Sequence, residues 1–310
     1  MSKSFGSTHA VRNLDLDVPS GSLCGFLGPN GAGKSTTIRM IMSIIYPDTG
    51  TIRVLGGSAL RTKDRIGFLP EERGLYRKMR VGEFLEYIAR LKGFTTNAHG
   101  GVTAHVQQWL TRVELPEVHR KRCQELSKGM QQKVQFLAAI IHNPDLIILD
   151  EPFSGLDPVN SQVMSDVIRE LNRQGKTIIF STHVLQQAEE LCDRIFLIHR
   201  GVKLLDSTLG DIQKRFDPHT ILVEPMHHDA DFQRVPGVVT MNHMGDNGTL
   251  ELTLSESADP QQVMRDVLNF HPVRSVELRR PTLTDVFVML VNRGQGADAA
   301  AQAREELSRA

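Results

Sequence analysis

Residues 28–35 read Gly-Pro-Asn-Gly-Ala-Gly-Lys-Ser, between an apolar run from Ser22 to Gly28 and a segment with apolar residues at Ile38, Ile41, Met42 and Ile45. The run predicts a buried strand and the segment a helix, so the eight residues are a glycine-rich turn from strand to helix. They fit G-x-x-x-x-G-K-[ST], in which glycines let backbone N–H groups close around phosphates. Lys34 supplies positive charge to the β and γ groups, and the Ser35 hydroxyl can ligate Mg²⁺. The candidate nucleotide-binding residues of this stretch are Gly28, Asn30, Gly31, Ala32, Gly33, Lys34, Ser35 and Thr36. A phosphate loop at this place makes the fold class α/β.

Outward from the loop, strand and helix signals alternate. Pro47–Gly50 is a turn, and short strands are expected at Thr51–Leu55 and Arg65–Leu69. From about 71 to 143 the pattern changes to helices at Val81–Lys92, His105–Val113 and Ser127–His142. Strand patterns return at Leu146–Leu149, Thr177–Ser181 and Arg194–Ile198. Between the first two lies an amphipathic helix with Val163, Met164, Val167, Ile168 and Leu171 on one face, Asp157 as its N-cap and Pro158 at its first position. Such alternation implies a mostly parallel sheet covered on both sides, and the helical stretch reads as an inserted subdomain. The first domain is taken as 1–215. A small α+β domain follows over 219–292, with strands at His219–Glu224, Val238–His243, Thr249–Leu254 and Arg274–Leu278 and helices at Pro260–Asn269 and Thr282–Val291. Residues 293–310 carry little apolar material and read as a frayed tail.

A second chemical signal closes the strand Leu146–Leu149, which ends in Asp150 and Glu151. A carboxylate at that point can reach Mg²⁺ beside the phosphate loop. Glu151, one step further, is placed to polarise an attacking water. A third signal is Leu126-Ser-Lys-Gly-Met-Gln-Gln-Lys133, a Ser and a Gly at the mouth of a helix, where unpaired backbone N–H groups favour an anion.

Lys+Arg and Asp+Glu both number 36, so the formal net charge is zero. Nucleic-acid binding by charge needs a surplus of cations, and no nucleic-acid partner is expected. Three widely spaced cysteines suit a reducing compartment better than a disulfide framework. No signal-peptide pattern opens the chain, and its longest apolar runs fall far short of the roughly 20 residues that span a bilayer.

In order along residues 3 to about 206, these motifs resemble the ATP-binding subunits of ABC transporters. The family's LSGGQ signature matches Leu126, Ser127, Lys128, Gly129 and Met130; its loop after the catalytic acid matches Ser154–Asp157; its switch histidine matches His183 in Ser181-Thr-His. An adenine-stacking aromatic falls on Phe5. The resemblance implies a P-loop ABC ATPase fold with ATP and Mg²⁺ as cofactors. Glu151 and His183 are the catalytic pair, and Ser35, Asp150 and Glu71 the metal site. It also implies head-to-tail closure of two nucleotide-binding domains. Ser127, Lys128, Gly129 and Met130 would then face an ATP held by another copy, with Asp157 beside them. This chain carries one such domain, so a second ATPase subunit, a homodimer in the simplest case, is implied. So is an integral membrane permease, with this chain peripheral on the cytoplasmic face.

Departures from the pattern matter. The loop after Ile66–Pro70 usually carries Gln in the family and carries Glu71 here. Either the carboxylate adds charge beside Asp150 and Glu151 and steepens Mg²⁺ dependence, or it turns to solvent or to Arg73. Lys128 either adds charge near the partner's nucleotide or is solvated. Almost no strand precedes Lys3, so either the chain is truncated or that edge strand is shortened. Pro70–Tyr76, LSKGMQQK and Pro281–Leu290 resemble a branch of sodium-extruding and drug-exporting ATPases with a small C-terminal domain. Leu75 and Tyr76 are candidates for permease contact or for packing within the helical subdomain. His227-His-Asp229 lacks further ligand spacing and reads as a solvated loop. The alternative function is a non-transport ABC ATPase, a clamp or a regulatory switch.

Overall fold

The computed structural model describes residues 1–72, 74–95, 101–216, 219–227, 230–244 and 248–295. Contacts divide the described chain into two compact units, one formed by Met1–Leu209 with Phe287–Gln295, the other by Gly210–Val286.

The first unit opens with a hairpin of β1 (Lys3–Phe5) and β2 (Thr8–Val11), followed by β3 (Leu23–Leu27), α1 (Lys34–Ile41), the short α2 (Ala59–Thr62) and β4 (Ile66–Leu69). The helical stretch is α3 (Val81–Leu91), α4 (Gly101–Arg112) and α5 (Lys128–Ile140). It gives way to β5 (Leu146–Asp150), α6 (Pro158–Arg173), β6 (Thr177–Thr182), α7 (Leu185–Leu191), β7 (Arg194–His199) and β8 (Val202–Thr208). Six strands form one sheet in the order β4-β5-β6-β3-β7-β8. All neighbours are parallel except β7 and β8. Every residue of β3 and β5 is buried, which is why both read as unbroken apolar runs rather than alternating ones. Phe26, Ile38, Ile148, Ile179 and Phe196 belong to one core cluster. The carboxyl ends of β3, β5 and β6 meet side by side, Leu27 opposite Thr182 and Asp150 opposite Ser181. In an open α/β sheet that edge is where ligands bind.

The second unit holds α8 (Leu209–Arg215) from Gly210 on, β9 (Thr220–Pro225), β10 (Val238–Met244), β11 (Thr249–Leu254), α9 (Pro260–Phe270) and β12 (Val273–Leu278), and the start of α10 (Leu283–Gln295). Its antiparallel sheet has the order β10-β11-β9-β12. Leu250, Leu252 and Leu254 alternate inward toward Phe232 and the Val263 and Val267 stripe of α9. Glu251, on the opposite face of β11, pairs with Arg279.

One expected strand is absent. Thr51–Leu55 makes only a single bridge, Val54 with Gly57. Its residues alternate in burial, as do Leu14–Val18, but a cavity of about 330 Å³ separates the two segments and neither finds a ladder partner. Alternation survives because Ile52, Val54, Leu14 and Leu16 pack on the core; a strand needs a neighbour as well. Conversely, the sequence pattern gives no signal for β8, α7 or α8. The helix expected from His105 starts at Gly101.

Candidate functional site

The phosphate loop is shaped by what surrounds it. A Cβ on Gly28 would stand 2.1 Å from the Ile198 carbonyl oxygen, and one on Gly33, at φ 106°, would stand 2.5 Å from that of Ala10. Only glycine lets the turn press against the end of β7 on one side and β2 on the other. Lys34 opens α1, is 6% exposed, and donates to the carbonyls of Gly28 (2.6 Å) and Pro29 (3.2 Å). Burial pulls its pKa down, against the pull of Glu151, Asp150 and Glu71. A buried lysine tethered to two carbonyls of the glycine turn has its amine placed where a phosphate on the loop would lie.

The strand-end acids stand opposite. Asp150 is buried and its Oδ1 has no hydrogen-bond partner. Burial raises its pKa and repulsion from Glu151 and Glu71 adds to the rise, with Ser181 and Lys34 opposing it. An unpartnered buried carboxylate oxygen near a serine hydroxyl suits a hard cation with oxygen ligands. Among the described residues, no cluster of three or more His, Cys, Asp or Glu side chains could hold a metal ion alone.

Glu151 adopts φ 48°, a backbone region that costs a side chain energy. Its N–H donates to the Ser181 carbonyl at 2.9 Å. Its carboxylate is held from the other strand. Oε1 accepts from His183 Nδ1 at 2.7 Å and from the His183 backbone N–H at 3.0 Å, and Oε2 accepts from the Thr182 hydroxyl at 3.1 Å. An ionised carboxylate only accepts, so Nδ1 carries the proton and Nε2 is left for another partner. The two candidate catalytic residues are thus one hydrogen-bonded pair.

A cleft of about 640 Å³ joins these groups. Asn30, Gly31, Ala32, Gly33, Lys34, Ser35, Thr36, Asp150, Glu151 and Glu71 line it, together with Ser7–Ala10, Arg12 and Arg200. Glu71 faces the cleft and is exposed; Arg73, its alternative partner, lies outside the described residues. Phe5 is 52% exposed on β1 and does not line the cleft; Thr8 and His9 occupy that wall. Arg12 and Arg200 carry no sequence motif. They reach the cleft because β2 and the β7–β8 turn meet over the phosphate loop, with Arg12 N–H on Gly201 and Gly201 N–H on Ala32.

The signature residues are elsewhere. Ser127 caps α5, its hydroxyl accepting from Met130 N–H at 3.2 Å. Ser127 and Lys128 are exposed, Gly129 and Met130 half-buried, and none lines the cleft of its own chain. Gly129 lies against Leu156. Asp157 spends its carboxylate on the N–H and side-chain amide of Asn160, and these bonds hold its pKa below the usual range. Within α5, Gln132 donates to the Pro152 carbonyl (2.9 Å) and Gln135 to that of Glu72 (3.1 Å). One helix therefore grips both the segment after Glu151 and the Glu71 loop. Glutamines on a core-facing helical stripe were the available sign of this.

Leu75 is half-buried, while Tyr76 packs edge-on to Phe84 and Tyr87 and stays 52% exposed. His228 and Asp229 lie outside the described residues. No helix among the described residues is long and apolar enough to cross a membrane.

The sequence matches two family models, "ABC transporter" over residues 11–154 and "ATP-binding protein DrrA1-3-like, C-terminal domain" over residues 208–291. It is 37% identical to "Uncharacterized ABC transporter ATP-binding protein YhaQ" of Bacillus subtilis, over 93% of this chain and 95% of that protein. It is 33% identical to "Nod factor export ATP-binding protein I" of Rhizobium sp. strain N33, over 94% and 95% respectively. Among solved structures, the dimeric post-hydrolysis state of the ATP-binding cassette MJ0796, bound to ADP and Pi, superposes with a TM-score of 0.61 at 25% identity. That match covers 67% of this chain and 95% of that one.

Proposed function

The chain belongs to the ATP-binding subunits of ABC transporters, and on that premise we propose that it hydrolyses ATP to drive export through a separate membrane permease. ATP hydrolysis is the family's activity. The direction of transport is supported by the export and resistance functions that name its relatives. The observation that carries the reading is the composition of the cleft: a buried lysine on a glycine loop, a buried acid without a partner, and a Glu–His pair, all on one sheet edge.

Each residue has a distinct part. The loop Gly28–Gly33 with Lys34 and Thr36 binds the phosphates. Ser35 and Asp150, with Glu71 nearby, fit Mg²⁺, which neutralises charge between the β and γ groups when bound. Glu151 polarises the attacking water, and His183, held by its Nδ1–H on Glu151, orients that water by accepting from it at Nε2, or contacts the γ-phosphate when Nε2 also carries a proton. Ser127 and Lys128, which are exposed, and Gly129 and Met130, which are half-buried, do not line their own cleft and complete the cleft of a second copy, with Asp157 at the seam. The assembly is a homodimer on the cytoplasmic face of the membrane, closing on ATP and reset by hydrolysis. The half-exposed Tyr76 beside Tyr87 on α3 supports permease docking on the helical subdomain.

The test is affinity capture of the tagged protein from gently solubilised native membranes, with co-purifying proteins identified by mass spectrometry. A stoichiometric polytopic membrane protein is expected. Recovery of soluble partners alone would remove the transport half of the reading and leave the ATP chemistry.

A further inference from the structure

We infer that Thr182 is the positioning residue for the Glu151 carboxylate, and that Gln187 is a second acceptor waiting for the Thr182 proton when Glu151 lets go. The inference rests on the hydrolytic reading of the cleft and names the device that sets its base. Thr182 is fully buried at the carboxyl end of β6. Its hydroxyl is 3.1 Å from Glu151 Oε2 and 3.4 Å from Gln187 Oε1, and it accepts from Val184 N–H at 3.1 Å.

A hydroxyl has one proton, so it cannot satisfy both oxygens at once. Val184 occupies a lone pair and turns the O–H toward the pair of acceptors. The closer and charged one, Glu151, takes the bond, since hydrogen bonds to ionised acceptors are the stronger. In this arrangement Glu151 is anchored at both oxygens, by His183 on one side and Thr182 on the other. Oε2 carries one donor and keeps a lone pair for a water over the phosphate loop, and turning that lone pair toward the water draws the oxygen away from Thr182. A buried hydroxyl left without an acceptor would resist that movement. Gln187, on the first turn of α7, supplies the replacement acceptor from a side chain that touches neither phosphate loop nor Asp150 in any bond of the structure. No covalent step is involved; the proton stays on Thr182 and only its bond direction changes.

The wild type and three variants, Thr182→Val, Thr182→Ser and Gln187→Met, are compared by steady-state ATP hydrolysis, with nucleotide affinity measured by fluorescent ATP analogue. Losing a hydrogen bond to an ionised group predicts that kcat falls about 10- to 100-fold in Thr182→Val, with KM for ATP little changed. Thr182→Ser, which keeps the hydroxyl, is expected to retain nearly wild-type kcat. Gln187→Met, which keeps the anchor and removes the second acceptor, is expected to slow kcat severalfold at unchanged KM. A Thr182→Val protein with wild-type kcat overturns the inference, and so does a Thr182→Ser protein as slow as Thr182→Val, which would make the methyl packing the cause. Wild-type turnover by Gln187→Met removes the second acceptor's role. A wild-type chain that binds ATP and never turns it over would overturn the hydrolytic reading itself, a result separate from any of these.

Discussion

Glu151 holds an unusual backbone angle and two anchored oxygens, and both facts describe a carboxylate kept in place rather than one free to wander. Strain of this kind costs on the order of 1–3 kcal/mol and persists only where the surroundings over-determine it. Here Ser181, Thr182 and His183 do so from the adjoining strand. Glu151→Gln keeps the shape but donates where the carboxylate accepted, and His183→Ala removes its partner. Each is expected to lose about 10²- to 10⁴-fold in hydrolysis while still binding ATP, as read by turnover and equilibrium binding in parallel. Retained turnover in either would remove the role given to that residue. A different histidine governs acid stability. His142 is buried, with Nε2 on the Ile66 carbonyl at 3.3 Å and Nδ1 unpartnered. Burial first, then repulsion from Lys92 and Lys176, push its pKa to about 4, against the pull of the Ile66 carbonyl and Asp64. Its folded pKa is below the ordinary 6.5, so between those values the unfolded chain binds more protons. Stability therefore falls as pH drops from about 6.5 toward 4, by on the order of 3 kcal/mol in all. In His142→Met, the decline in urea midpoint from pH 7 to pH 4.5 should shrink; equal declines in both proteins would show that His142 is not the group responsible.

At the scale of elements, α5 and the loop after β4 act on the cleft together. Gln135 ties α5 to the Glu72 carbonyl, one residue beyond Glu71, and Glu71 adds a third carboxylate to the wall that holds Asp150 and Glu151. Three negative groups around a triphosphate require a divalent cation more strictly than two. Glu71→Gln should therefore bind ATP better than wild type when Mg²⁺ is chelated and much the same when it is present. Calorimetric titration with and without EDTA measures this, and Mg²⁺-independent affinity in both proteins would sink it. The elements that supply the cleft were legible because their signals are local. The phosphate loop lies within eight residues, β5 is an unbroken apolar run, and Asp157-Pro158 announces α6. What stayed hidden depends on distant partners. Thr51–Leu55 has a strand's alternation and no strand beside it. Arg12, Arg200 and Thr182 gain their places only when β2, the β7–β8 turn and the end of β6 are brought to β3 and β5. Phe5, placed at the adenine only by resemblance, stands on β1 and does not line the cleft.

At the scale of the molecule, the cleft and the helix mouth at Ser127 stand in two separate places on one chain. Lys34, Glu71, Asp150 and Glu151 line the cleft, with His183 bonded to Glu151, while exposed Ser127 and half-buried Gly129 stand at a helix mouth and do not line it. A helix N-terminus offers unpaired N–H groups to an anion, and the free Ser127 and Lys128 surface leaves the approach open. Two copies arranged head to tail would seat each helix mouth on the other's γ-phosphate. Hydrolysis would open such a pair, so the Glu151→Gln form is the one in which closure should accumulate. With ATP and Mg²⁺, light scattering behind size exclusion should give twice the chain mass; with ADP it should give the single-chain mass. Because association binds only the ATP-loaded form, the doubled mass should grow with protein concentration. Gly129→Asp provides the control. A Cβ at Gly129 meets only Leu156, at an ordinary 3.4 Å, so the variant should fold and bind ATP in its own cleft. It places a carboxylate where the partner's phosphate must lie, so the doubled mass should vanish while nucleotide affinity of the single chain remains. If Glu151→Gln stayed at single-chain mass across the concentration range, the second signature helix would have to come from a different subunit, and Ser127 here would serve that subunit's ATP.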